Sequence, residues 1–208
     1  MPALRRQRPR RNDSPRAARY RLSVIRSNRI EGYAIISADG MIADASGKMP
    51  DTIRNQADQD FLQAALDRGV AVVHGRHSHE GGPRAAGRKR VVVTRQVASL
   101  APDPSHPRSL LWNPAGATFD AAINAIGAGS GTIAIIGGTE VFELFLPLYD
   151  AFHVTLAERA RIPGGRPLFA EVGPDATPSD VFARHGLRPD PPRDLDAVAG
   201  ITLTTWRR

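Results

Sequence analysis

Short apolar runs alternate with helix-period patterns along most of this chain. Segments 30–37 (IEGYAIIS), 70–75 (VAVVHG), 90–94 (RVVVT), 109–113 (SLLWN), 132–138 (TIAIIGG) and 151–158 (AFHVTLAE) predict strands. Several are apolar throughout, the form taken by strands covered on both faces. Two late segments, DVFARHG (180–186) and ITLTTW (201–206), alternate in character and predict edge or antiparallel strands, separated by a loop carrying Pro189, Pro191 and Pro192.

Three helices are predicted between the strands. Thr118 caps one whose Phe119, Ala122, Ile123 and Ile126 recur at i, i+3, i+4 and i+7, with Gly127 beyond its end. Another runs over 139–146 and stops at Pro147. The helix over 55–68 is the informative one. Its apolar stripe is Phe61, Leu62, Ala65 and Leu66, and stepping back three and four residues from Phe61 and Leu62 reaches Asp58, which therefore faces inward. Asp60, Gln63 and Asp67 fall on another face, read as solvated. An inward carboxylate needs a ligand or a donor, because desolvating an unpaired charge is expensive; the other reading is a first-turn carboxylate held by the helix dipole and still solvated.

Alternating strands and helices imply an α/β domain in three α-β-α layers. Its central sheet is expected to be mostly parallel, with about eight strands and an antiparallel C-terminal edge. The 208 residues suffice for one core, so a single domain is expected over 30–208. Composition then changes one part of the picture. The formal charge is +7, but residues 1–29 carry ten arginines and one aspartate, leaving the remaining 179 residues at −2. That segment has three prolines and no apolar face, which favours disorder. It reads as a solvated extension, or as a start site placed upstream of one near Leu22 or Val24. A nucleic-acid arm is the less favoured reading, since a polybasic run alone gives unspecific attraction. The absence of cysteine excludes disulfides, thiolate catalysis and cysteine-ligated metal sites. No stretch of membrane-spanning length is present, and a cytoplasmic protein is the default expectation.

Two glycine sites point to phosphate. TIAIIGGTEVFELF places Gly137-Gly138 between a buried strand and a helix beginning at Thr139, where backbone N–H groups face a ligand. In VVHGRHS, Gly75 ends a strand and Arg76 follows; Thr94-Arg95 ends the next strand. Arginines at the carboxyl ends of such strands can clamp a phosphate. His74, His77 and His79 offer a metal cluster as a competing reading, less favoured than solvated or phosphate-contacting histidines.

Taken in order, these pieces resemble the dihydrofolate reductase-like superfamily, which includes the riboflavin-pathway pyrimidine reductases. SADGMIA (37–43), Met49-Pro50, HGRHS (74–78), GRKRVVVTR (87–95), IAIIGGTEVFELFLPLYDAFHVTLAE (133–158), GGRPLF (164–169) and ITLTTWRR carry the likeness. It implies NADPH, held by Gly75, Arg76, His77, Ser78, Thr94, Arg95, Gly137, Gly138, Thr139 and Glu140. It implies Asp58 as the catalytic carboxylate with Thr155 in support, and Ile35, Met49, Phe61, Leu62 and Arg88 around the substrate, Arg88 matching an arginine that holds a folate tail carboxylate. The implied partner is a small molecule, a pterin or a pyrimidine, in a monomer or homodimer, with no membrane and with nucleic acid reached only through the tail. The sequence departs from the pattern at Asp51, where Trp is usual, at Phe142, where Tyr is usual, and in the Gly/Pro-rich EGGPRAA. SADGMIA sits closer to the pyrimidine reductases, whereas GRHS and the stretch to Thr155 favour the dihydrofolate side.

Overall fold

The computed structural model describes residues 28–78 and 84–208. The basic segment lies outside these residues except for Asn28 and Arg29, which open the first strand two positions earlier than expected. The strands are β1 (Asn28–Ser37), β2 (Met41–Ala43), β3 (Ala71–Gly75), β4 (Arg90–Val93), β5 (Leu100–Pro102), β6 (Ser109–Trp112), β7 (Gly131–Ile135), β8 (Ala151–Ala157), β9 (Arg166–Pro167), β10 (Arg188–Pro189), β11 (Arg193–Asp196) and β12 (Ile201–Arg207). The α-helices are α1 (Gln56–Arg68), α2 (Phe119–Ala125), α3 (Thr139–Phe145) and α4 (Pro178–Arg184).

Ten strands form one sheet in the order β10-β12-β8-β1-β7-β3-β4-β6-β5, with β11 also paired to β12. The run from β8 to β6 is parallel. Antiparallel strands flank it at both ends: β12 with its partners beside β8, and β5 beside β6. The C-terminal antiparallel edge was expected; β5 was not, because LAP is too short to show a period. The ribbon β2-β9 was equally invisible for the same reason.

Strand alternation assigns the two faces. Tyr33, Val72 and Ala134 meet Ala65 and Leu66 of α1. Ile30, Val73, Val91, Ile133 and Ile135 turn the other way, onto Phe119 and Ile123 of α2, Val141 and Phe145 of α3, and Val181 and Phe182 of α4. The result is three layers, with the larger core on the α2–α4 side. Phe152, wholly buried, sits at its centre with ring centroids of Phe142, Tyr149 and Phe182 within 5.2 Å. Gly32 makes room for it: a Cβ there would lie 2.3 Å from the Phe152 ring.

Two expectations are corrected. DVFARHG is helical, forming most of α4: Thr177 caps it with a reciprocal capping box to Asp180, and Pro178 occupies the first turn. Val181 and Phe182 enter the core from a helix and not from a strand. On α1, Asp60 and Gln63 face a cleft and Asp67 holds two arginines, so that face is not simply solvated. The other two helices follow expectation, with the Thr118 hydroxyl accepting from the Ala121 N–H.

Candidate active site

A cleft of about 1930 Å³ opens along the carboxyl ends of β3, β4, β6 and β7 and continues between α1 and the β2–α1 loop. Single small-ligand sites run to roughly 300–1,000 Å³, so this cleft is larger than one such site needs. Parallel strands that end together on one edge create such a crevice, and the loops leaving them line it.

At one end lie Gly75, Arg76, His77 and Ser78 after β3, Thr94 and Arg95 after β4, and Gly138, Thr139 and Glu140 after β7. The β3 and β7 turns are joined by the Gly75 N–H donating to the Gly137 carbonyl at 2.7 Å. Gly137 does not line the cleft itself; its φ of 107° and the Phe142 ring, 2.9 Å from a hypothetical Cβ, explain why glycine stands there. Thr139 Oγ1 donates to the Pro167 carbonyl at 2.5 Å, tying the β9 strand to the start of α3. Two arginines, hydroxyls and backbone N–H groups of neighbouring turns make a donor set suited to phosphate oxygens.

The other end is built on α1 and β8. Asn55 caps α1, accepting from the Ala57 and Asp58 N–H groups at 2.8 and 3.3 Å, and this fixes Asp58 in the first turn. Asp58 is 8% exposed, and its buried carboxyl has its pKa pushed up by desolvation, an effect moderated by a hydrogen bond with Thr155. Thr155 is itself buried, on β8 opposite Ile35 of β1. Ile35, Phe61 and Leu62 give the apolar wall, and Met49, 41% exposed, stands over it from the β2–α1 loop. Asp58 thus faces inward as its helix position implied, and it meets Thr155, the partner that the family resemblance implied.

Arg88 departs from its expected place. It is buried outside the cleft lining, donating to Asp67 at 2.6 Å and to Gln63 at 2.8 Å, with Arg84 also paired to Asp67. The carboxylate of Asp67, one turn beyond Gln63, draws the guanidinium behind the wall.

Several cleft residues escaped the sequence reading. Tyr33 and His153 stack at 4.7 Å, with Phe61 edge-on to His153 at 5.6 Å. Beneath them Glu31 accepts from the Tyr33 hydroxyl at 2.6 Å and lies 3.5 Å from His153 Nε2. The His153 contact, then the Tyr33 hydroxyl, hold the Glu31 pKa down at about 2 against its burial. The period-2 step from Thr155 to His153 on one strand was the available signal. Lys48 and Arg166 also line the cleft from the loop side. Among the described residues no group of three metal-ligating side chains converges. His74 is buried, with Nδ1 2.9 Å from the Gly75 carbonyl oxygen, and His79 lies outside the described residues. No described helix is long and apolar enough to cross a membrane.

The architecture is a ten-stranded mixed sheet with, among the described residues, one α-helix on one face and three on the other, and a long cleft at its strand ends. No protein-family model matches the sequence, and no curated protein matches it. Solved structures do match. A putative riboflavin biosynthesis protein from Shewanella sp. PV-4 aligns at a TM-score of 0.59 and 22% identity, over 86% of this chain and 98% of that one. Dihydrofolate reductase from Enterococcus faecalis, complexed with NADP(H) and RAB-propyl, aligns at 0.59 and 17%, over 86% and 96%. A diaminohydroxyphosphoribosylaminopyrimidine deaminase/5-amino-6-(5-phosphoribosylamino)uracil reductase from Thermotoga maritima aligns at 0.60 and 15%, over 88% of this chain and 57% of that one. The chain has the dihydrofolate reductase-like fold.

Proposed function

We propose that this protein is an NADPH-dependent reductase that passes a hydride to a flat nitrogen heterocycle, a reduced pterin or an aminopyrimidine, bound against Asp58. The observation that carries the reading is the two-part cleft. A phosphate-type donor set occupies one end, and a buried carboxyl beside an apolar, aromatic wall occupies the other. The solved structures of similar fold include reductases, one of them complexed with NADP(H), and this supports the same cofactor class here.

The residues at the first end fit a dinucleotide. Arg76 and Arg95 are both exposed in the cleft and supply charge for an adenosine-side phosphate, which favours NADPH over NADH. Ser78, Thr94 and the backbone N–H groups of the Gly138-Thr139 turn supply neutral donors. The nicotinamide, when bound, supplies the hydride; the protein's part is binding, alignment and water exclusion. Ile35, Phe61 and Leu62 press the heterocycle flat. Asp58 accepts from its amino and ring N–H groups, and burial, which raises its pKa, makes this carboxyl hold a proton more readily than an exposed one. Thr155 orients the carboxyl and steadies its charge. Met49 covers the heterocycle from the loop.

The test has two parts. Fluorescence titration with NADPH reads the first end. Loss of NADPH absorbance in the near ultraviolet, against dihydropterin, dihydrofolate and a ribosylaminopyrimidine, reads the second. Absence of NADPH binding removes the whole reading; binding without turnover on any of the three removes the substrate class.

A further inference from the structure

Arg88, Asp67, Gln63 and Arg84 form a charge cluster one side chain behind the substrate end of the cleft. Gln63 lines the cleft and its Oε1 accepts from Arg88 at 2.8 Å, so the guanidinium stands directly behind that wall. The same guanidinium donates to Asp67 Oδ1 at 2.6 Å, and Arg84 pairs with Oδ2 of the same carboxylate. Arg88 is 9% exposed while Arg84 is largely in solvent. The inner arginine is therefore matched by a carboxylate that also holds the outer one.

An arginine buried against a carboxylate is costly to extract, because withdrawing it leaves a partly buried charge without its match. A ligand carboxylate would have to displace both Asp67 and Gln63 to gain one bidentate contact. The side chain that lines the cleft in front of Arg88 is the neutral amide of Gln63, whose oxygen accepts from that arginine.

Resting on the reductase reading, we propose that Asp67 is a specificity-determining residue: it holds Arg88 behind the wall, so the site takes heterocycles without an anionic tail at the Gln63 end of α1. The Asp67–Arg88 pair acts as a lock on which ring compounds gain affinity from a tail carboxylate.

Binding is measured by protein fluorescence for dihydropterin and dihydrofolate, which share a ring and differ in the carboxylate tail. In the native protein the two dissociation constants are expected to agree within about threefold, and Asp67→Asn is expected to tighten dihydrofolate alone by roughly tenfold. Native binding of dihydrofolate tenfold tighter than dihydropterin, abolished by Arg88→Gln, overturns the proposal. If neither compound binds, the substrate reading fails and a second measurement still decides the lock. Phenylglyoxal labelling of the folded protein, mapped by mass spectrometry, is expected to modify Arg76 and Arg95 readily and to spare Arg88, which Asp67→Asn exposes. Labelling of native Arg88 as fast as Arg76 and Arg95 overturns the lock.

Discussion

Thr155 on β8 hydrogen-bonds the carboxyl of Asp58 on α1, and both are buried at the α1 end of the cleft. Burial disfavours the charged carboxylate and the threonine partly restores it. The pair sets the proton affinity of the one buried acid among the residues lining the cleft.

Asp58→Asn is expected to lower turnover by at least about a hundredfold, since general acid–base groups contribute roughly 10²–10⁴ in rate. NADPH affinity is expected to stay within about twofold, because the phosphate-type donors are at the other end. Stability is expected to move the opposite way. A carboxyl whose folded pKa lies above its unfolded value destabilises the fold increasingly as pH rises from the unfolded toward the folded pKa, and the full penalty persists above it. The amide carries no such penalty, so the variant is expected to melt a few degrees higher at neutral pH and equally at low pH. Calorimetry at two pH values checks it; a lower neutral-pH Tm contradicts it.

Thr155→Val preserves shape and removes the hydroxyl. The Asp58 pKa is then expected to rise further, shifting the limb of the kcat/KM–pH profile that reports this carboxyl toward higher pH. Loss of a hydrogen bond to a charged group, of about 1.5–3 kcal/mol, corresponds to roughly 10–100-fold in kcat/KM. Thr155→Ser is expected to restore most of it.

Arg76→Gln and Arg95→Gln are expected to weaken NADPH binding by about tenfold each while leaving NADH binding nearly unchanged, so the double variant discriminates little between the two. Parallel titrations with both nucleotides read the effect; equal loss for NADH places the arginines away from the distinguishing phosphate.

Glu31 links the cleft floor to acid stability. Its pKa of about 2, against an ordinary 4.5, is set chiefly by His153 and then by the Tyr33 hydroxyl. A depressed carboxylate contributes stability above its unfolded pKa and loses it as pH falls through the folded one. Denaturant midpoints of the native protein are therefore expected to decline between about pH 4.5 and pH 2, and those of Glu31→Gln to decline less over that window.

Phe152→Ala is expected to cost about 3–5 kcal/mol, because the ring is fully buried among aromatic neighbours that cannot collapse onto the void. Gly32→Ala overpacks the same spot and is expected to destabilise by about 1–3 kcal/mol. Urea unfolding of both variants tests whether this ring centres the core.

The positions read well from sequence are those where one periodicity carried the information. The strands buried on both faces showed as unbroken apolar runs, and the 3.6-residue stripe of α1 turned Asp58 inward without any view of its partner. The α4 misreading has a specific cause: the apolar pair Val181-Phe182 fits either period in so short a segment, and the deciding signal was Thr177-Pro178 with Asp180. His153 was within reach by stepping two residues from Thr155.

Local pattern by itself determined the α/β layering, the parallel centre of the sheet, the glycine turns at its strand ends and the inward face of Asp58, because each depends on neighbours within a turn or a strand. What tertiary structure decided was pairing between distant segments. It brought Thr155 to Asp58, stacked Tyr33 on His153 over Glu31, and gave Arg88 to Asp67 and not to the cleft. Charge and burial at those positions depend on which segments the fold makes adjacent, and no periodicity along the chain encodes that choice.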